Sequence, residues 1–174
     1  MERPPAAAIL RCEQTPDAGG DTLWANMQLA YDKLSDGLKE YIAPLSGMHA
    51  TDGGFVDYIE RHLPADAVEK IMKVVGRGVV HPIIRTHPET ARKSLFVDQA
   101  YLSKIDGLPK DESRFLLEFL ASRVNDVSIQ CLMRWTKGAV AIWDERCTQH
   151  SGSADHRGHP RTLRRCTIAG ERPE

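Results

Sequence analysis

Two arginines near the C-terminus, Arg161 and Arg165, stand four positions apart in the run Arg161 to Ala169. In an extended strand that spacing puts both on one face with Leu163 between them, while Thr162, Arg164 and Cys166 point to the other. If the Leu163 face looks inward, two guanidinium groups enter the interior. An unpaired buried charge costs on the order of 3–5 kcal/mol, and the strand itself contains no acid. A dicarboxylate ligand and an acidic substrate would supply the missing charge. The competing reading is a basic edge strand that faces solvent and discourages edge-to-edge pairing. Composition alone does not separate the two.

Three further groups have chemistry to offer. The segment Trp143-Asp144-Glu145-Arg146-Cys147-Thr148-Gln149-His150 leaves a strand and ends in an imidazole. Taken alone, such a histidine is more often a hydrogen-bonded surface group than a metal ligand. Gly19-Gly20-Asp21-Thr22 is a glycine turn ahead of an expected helix. Asp21 or Thr22 would cap that helix, or the Thr22 hydroxyl and nearby N–H groups would hold an anion. His150, His156 and His159 invite a zinc reading. It is the weakest of the three, because Ser151, Gly152, Ser153 and Gly158 make 151–160 a mobile loop and no cysteine is placed to complete four ligands. The four cysteines, Cys12, Cys131, Cys147 and Cys166, form no CxxC pair and are expected as small buried apolar residues.

The positioning elements follow from periodicity. A strand is expected over Ala6 to Glu13 and a loop over Thr15 to Gly20. A helix over Leu23–Leu34 has Leu23, Met27, Ala30, Tyr31 and Leu34 at helical spacing. A second helix runs from Ser35 toward Ile42. Phe55 to Leu63 and Ala65 to Val75 read as two more, separated by Pro64 and ended near Gly76. The period then changes. Val79 to Arg85 and Ser94 to Val97 are strand-like around a Thr86–Thr90 loop, and Glu112 to Arg123 is a helix with Phe115, Leu116, Phe119 and Leu120 on one side. Val127 to Trp135 reads as a strand, turned at Thr136-Lys137-Gly138 into an antiparallel partner over Ala139 to Trp143. Arg161 to Ala169 is the last strand. The expected class is α+β, a β-sandwich or barrel with a helical insertion.

Bulk properties narrow the field. The 174 residues carry 23 basic and 24 acidic side chains, mixed along the chain, and a net charge of −1. That argues against a nucleic-acid surface. No apolar run approaches the roughly 18 residues of a membrane helix. The start Met1-Glu2-Arg3-Pro4-Pro5 lacks the build of a signal peptide, so the expected compartment is the cytoplasm.

Four segments, in order, resemble the taurine/chlorophenoxyacetate (TauD/TfdA) dioxygenase family. They are Gly19-Gly20-Asp21-Thr22-Leu23-Trp24, His81-Pro82-Ile83-Ile84-Arg85-Thr86-His87-Pro88-Glu89-Thr90, Trp143 to His150, and Arg161-Thr162-Leu163-Arg164-Arg165-Cys166-Thr167. The similarity covers nearly the whole chain. It implies a double-stranded β-helix, or jelly roll, and iron(II) held by a His-x-Asp/Glu pair with a distant histidine. His150 corresponds to that distant histidine. Arg161 corresponds to the arginine that binds the far carboxylate of 2-oxoglutarate, and Thr22 to the threonine that assists it. Arg165 corresponds to an arginine for an acidic substrate group, and Tyr101 to an aromatic at the substrate pocket. The implied reaction hydroxylates a small acidic organic substrate, bearing a sulfonate or carboxylate, with dioxygen. It converts 2-oxoglutarate to succinate and carbon dioxide.

Departures accompany the resemblance. The His-x-Asp pair is expected ahead of the Gly19-Gly20 turn, yet no histidine lies between Met1 and Thr22. The expectation is therefore a single, partial domain over 1–174, an incomplete jelly roll that is inactive by itself and open to self-association along bare strand edges. The alternative is a non-enzymatic remnant that binds an acid through its arginines. Arg164 stands where a histidine is common, and Ser151-Gly152 replaces a bulkier pair.

Overall fold

The computed structural model describes residues 1–50, 59–75, 78–98 and 101–174. In chain order the elements are β1 (Ala7–Gln14), β2 (Thr22–Asn26), α1 (Met27–Asp32), α2 (Asp36–Ile42), β3 (Ser46–His49), α3 (Ala65–Val75), β4 (Val79–Pro82), β5 (Ile84–Thr86), β6 (Lys93–Leu95), β7 (Leu102–Ile105), α4 (Lys110–Ser122), β8 (Gln130–Met133), β9 (Val140–Asp144), β10 (Thr148–Gly152) and β11 (Thr162–Ile168). Of the expected helix over Phe55 to Leu63, residues 59–62 are helical and 55–58 lie outside the described residues.

Two three-stranded sheets carry the functional segments, ordered β11-β1-β9 and β10-β2-β8, every pairing antiparallel. Alternation along β1 and β2 explains how they face each other. Ala8 and Cys12 of β1 and Trp24 of β2 are buried in one cluster with Trp135 and Trp143. Trp24 meets Trp143 edge-on at 5.4 Å and Trp135 at 6.4 Å, the offset arrangement that aromatic quadrupoles favour. Ala25, one residue on from Trp24, points the other way into a second core with Ile42, Leu95, Ile105 and Leu120. Strand β2, the centre of the β10-β2-β8 sheet, is thus buried on both faces. One face meets the other sheet; the second meets the helices, the β4-β3-β7 sheet and the β5-β6 pair.

That two-sided burial corrects the expected Leu23–Leu34 helix. A strand covered on both faces reads as a continuous apolar run, which here imitates helical spacing. The helix starts only at Met27. Its cap is Asn26, whose side chain accepts from Gln28 N at 3.0 Å and Leu29 N at 3.1 Å; neither Asp21 nor Thr22 plays that part.

The expected hairpin is also corrected. Val127–Ile129 is a 3-10 turn and the strand begins at Gln130. Strand β8 pairs with β2, and β9 pairs with β1. The Thr136–Gly138 turn therefore hands the chain from one sheet to the other, tied to β1 by Cys12 N donating to Ala139 O and Gly138 N to Cys12 O. Alternating residues specify a strand but not its neighbour. The expected strand from Val79 to Arg85 is split at Ile83, whose N–H donates to Leu45 O and whose carbonyl accepts from Phe96 N.

Helix α4 buries Leu116 and Leu120, four apart, but leaves Phe115 75% and Phe119 39% exposed. The buried stripe is narrower than the apolar one, and Arg123 stacks over Phe119 at 5.3 Å. Of the cysteines only Cys12 is buried; Cys131 and Cys166 are exposed and Cys147 is half-buried. Among the described residues no helix is long and apolar enough to cross a membrane. The stretch after β10, within the 151–160 segment, makes hydrogen bonds of its own and to the Gly20 turn. Ser153 N donates to Asp21 O, His156 Nδ1 contacts Ser153 O, and His159 N donates to His156 O, each at 2.9 Å.

Truncating Leu120, fully buried under α4, to alanine should cost about 2–5 kcal/mol. Val127→Ala, at an exposed position, should stay within about 0.5 kcal/mol. Denaturant unfolding of the two variants checks the assignment, and equal losses would refute it.

Candidate anion and metal site

Register settles which face of β11 looks inward. Cys12 pairs with Leu163, Leu10 with Arg165 and Ala8 with Thr167. Since Ala8 and Cys12 belong to the inter-sheet core, Leu163 and Arg165 share that side. Arg161, one step before the strand and half-buried, turns toward the Gly19-Gly20 turn. Its Nε donates to Gly20 O at 2.7 Å and its Nη2 to Thr22 Oγ1 at 3.4 Å. Arg165 thus shares the side of Ala8 and Cys12 yet stays exposed and paired with Glu145, and Arg161 is half-buried, so β11 also keeps the character of a solvent-facing basic edge strand.

Gly20 is required there for two reasons. Its φ is +73°, and a Cβ would sit 2.8 Å from Arg161 Cδ, a backbone region and a space that only glycine tolerates. The Gly19-Gly20 turn is the seat of the arginine stem, not the approach to a helix.

Thr22 is 2% exposed. Its oxygen accepts from Trp135 Nε1 at 2.9 Å as well as from Arg161. A hydroxyl has two acceptor lone pairs and one hydrogen, so with both lone pairs engaged its hydrogen is left to donate. Among the described residues no acid pairs with Arg161. Its strand neighbours differ: Arg164 pairs with Glu13 and Arg165 with Glu145.

His150 lies on β10 directly across from Trp24 of β2. Its ring sits 4.9 Å from Trp143, and it is open to solvent on its other side. Loss of water beside the indole lowers its pKa, Arg165 acts in the same sense, and Glu145 and Asp98 oppose. The neutral imidazole, the form that ligates metals, is thereby favoured. Arg165 Cζ stacks over the other contact of the same indole, 5.8 Å from the Trp143 centroid. Tyr101 is part of this neighbourhood. Burial first, then Asp98, raise its phenol pKa, while Arg165 lowers it.

The structure therefore brings Thr22 and Arg161 into direct contact and places His150 and Arg165 on Trp143, with Tyr101 within electrostatic reach of Asp98 and Arg165. Glu145 was not foreseen as the partner of Arg165. Its signal was its place in the Trp143–His150 segment, five residues before the histidine. Trp135 as the donor to Thr22 carried no local signal.

One group of three ligand-type side chains occurs among the described residues: His87, Asp144 and Cys147, with ligand atoms within 4.8 Å of one another. Its donors are already committed. His87 Nδ1 accepts from Glu89 N and Thr90 N, each at 3.3 Å, so Nε2 carries the hydrogen and donates to Asp144 Oδ2 at 3.0 Å. Arg146 Nε donates to Asp144 Oδ1 at 3.0 Å, its Nη2 to Oδ2 at 2.6 Å, and its Nη1 to Glu89 at 2.9 Å. Burial raises the Cys147 thiol pKa, keeping it protonated. The cluster is a brace that joins the His87–Thr90 loop to the end of β9.

Two antiparallel sheets packed on a tryptophan cluster are consistent with the jelly-roll class of fold. Residues 1–167 match the family described as "Taurine catabolism dioxygenase TauD, TfdA family", and the chain belongs to that family. An alpha-ketoglutarate-dependent sulfate ester dioxygenase of Pseudomonas putida is 34% identical over 176 residues, which cover 99% of this chain and 58% of that protein. A taurine dioxygenase structure from Burkholderia xenovorans superposes with a TM-score of 0.83 at 33% identity, covering 99% of this chain and 55% of the other. The structure of AAD-2 in complex with Mn(II) and N-oxalylglycine gives a TM-score of 0.83 at 27% identity, covering 99% and 66%. The chain spans about half the length of the curated relatives it matches.

The residues present fit the family's co-substrate at one end. An uncompensated guanidinium beside a hydroxyl with a free hydrogen suits a carboxylate. For iron(II), His150 fits as one ligand, and among the described residues no ligand-type pair joins it within 4.8 Å.

The brace carries a pH prediction. Burial pushes the Asp144 carboxyl pKa up, but hydrogen bonds from Arg146 and His87 outweigh it and hold the carboxyl well below its ordinary 3.8. A depressed folded pKa contributes stability above the unfolded value and loses it as pH falls. Asp144→Asn should be less stable than the parent at pH 7, and the gap should narrow below about pH 4. Denaturation midpoints at both pH values check this. A gap that stays constant would show that the carboxylate charge is not what matters.

Proposed function

We propose that the chain forms the co-substrate-anchoring part of an Fe(II)- and 2-oxoglutarate-dependent dioxygenase that acts on a small acidic organic compound. The observation that carries this reading is the Arg161 guanidinium, held beside the Thr22 hydroxyl with no acidic partner among the described residues. The names of the relatives, among them sulfate ester and sulfonate dioxygenases, favour the same reaction type.

Each residue has a part in it. Arg161 and Thr22 grip the far carboxylate of 2-oxoglutarate and orient the keto acid end toward His150. Charge-assisted hydrogen bonds of this kind are worth roughly 1.5–3 kcal/mol. His150, kept neutral by its setting, offers a nitrogen lone pair to iron(II). The metal, when bound, supplies the activation of dioxygen that no side chain can perform. Trp24, Trp135 and Trp143 exclude water from the floor of the site.

Arg165 and Tyr101 take the acidic group of the substrate, a sulfonate or carboxylate. Because Arg165 is paired with Glu145, that group competes with a carboxylate already in place. The pair holds the guanidinium over Trp143 until a substrate displaces Glu145.

The test separates the two arginines. With Mn(II) as an oxygen-inert stand-in for iron, Arg161→Ala should weaken 2-oxoglutarate binding by calorimetry about tenfold or more. Arg165→Ala should change it little, and should instead weaken an alkyl sulfonate or carboxylate that competes for Glu145. Equal effects of both variants on both ligands would overturn the assignment.

A further inference from the structure

We propose that Asp155 is a positioning residue for the co-substrate anchor, acting on Arg161 through the backbone of Gly20; the inference rests on the reading of Arg161 above. The geometry forms a relay. Asp155 Oδ1 accepts from Gly20 N at 2.8 Å and from the Ser153 hydroxyl at 2.6 Å. On the far side of the same residue, Gly20 O accepts from Arg161 Nε at 2.7 Å. Arg161 Nη2 then reaches Thr22. One carboxylate thus orients the Gly20 backbone whose carbonyl fixes the guanidinium plane.

Three features single out this acid. First, Asp155 is exposed, where a carboxylate would ordinarily be solvated, yet its oxygen is given to a backbone N–H and a hydroxyl. Those two donors hold its carboxyl pKa below the ordinary value. Second, it does not pair with Arg161, so the guanidinium keeps its charge for a ligand. Third, the contact is tight. A Cβ on Gly19 would sit 3.0 Å from Asp155 Cγ, and one on Gly20 would sit 2.8 Å from Arg161 Cδ. Two consecutive glycines with φ near +79° and +73° are wedged between the acid and the arginine they connect.

A backbone with that conformation is costly to hold in one orientation, since glycine is free to leave it. The carboxylate supplies the restraint. Its charge is not essential to the relay; its acceptor is. Oδ1 receives both hydrogen bonds, so an asparagine with its carbonyl oxygen in the same place keeps both.

The experiment uses the whole chain and two readouts. Hydrogen exchange at Arg161 Nε–H, followed by nitrogen-15 NMR without ligand, reports the bond to Gly20 O. Calorimetry with 2-oxoglutarate and Mn(II) reports the anchor. Asp155→Ala should quicken Nε–H exchange and weaken 2-oxoglutarate, each on the order of tenfold. Asp155→Asn should stay within about threefold of the parent in both, and Ser153→Ala should fall between. Should Asp155→Ala lose the fold, Asp155→Glu carries the same test. Its added methylene displaces the acceptor from Gly20, so exchange must quicken although the charge remains. Unchanged exchange in Asp155→Ala or Asp155→Glu overturns the relay, as does an Asp155→Asn variant as impaired as Asp155→Ala. If exchange responds as stated but the parent chain does not bind 2-oxoglutarate, the relay stands and the dioxygenase reading of Arg161 fails.

Discussion

The structure turns on one half-buried guanidinium that, among the described residues, has no acidic partner. Arg161 is held by a carbonyl and a hydroxyl, both neutral, while neighbouring arginines on the same strand have acids. A partly desolvated charge without a counter-ion carries a cost that rises with burial, so its placement has to be fixed by other contacts. Here the fixing is done by shape. The Gly19-Gly20 turn makes room for the stem, Trp135 orients the Thr22 hydroxyl, and Leu163 anchors the strand in the tryptophan core.

The tryptophans do more than fill space. Trp143 lies under both His150 and Arg165, so one indole sets the distance between the imidazole and the second guanidinium. Its own position depends on the brace one residue further on. Asp144, gripped by Arg146 and by the single available hydrogen of His87, pins the end of β9 to the His87–Thr90 loop. The turn from β9 into β10 then has one course, and His150 arrives opposite Trp24. A cluster with the composition of a metal site is in this way consumed in aiming the histidine that is free to bind one. Strands β10 and β11 both occupy the ends of their sheets.

The similarity to taurine and sulfate ester dioxygenases covers nearly all of this chain and about half of theirs. That asymmetry matches the chemistry in hand. The proposed carboxylate anchor uses Arg161 and Thr22 of this chain, and His150 would supply one of the contacts a metal needs.

Much of this was legible in the residues. The alternation expected of the last strand placed Leu163 and Arg165 on one face, and the register against Cys12 and Leu10 agrees. The ordered segments around Gly20, His87, His150 and Arg161 determined the family, because each keeps its own local chemistry wherever the chain carries it. What the sequence left open was decided by partners distant along the chain. A doubly buried strand at Thr22–Asn26 and a helix share the same apolar spacing; only the second core beneath Ala25 chooses between them. Alternation at β8 and β9 marks two strands, but pairing across two sheets rather than in a hairpin depends on β1 and β2 offering their edges. Glu145 beside Arg165 and Asp155 behind Gly20 are single acids among many in the sequence. They acquire roles only when folding brings hydrogen-bond donors within 3 Å of their oxygens, since a hydrogen bond is a matter of distance and angle that residue type alone does not specify.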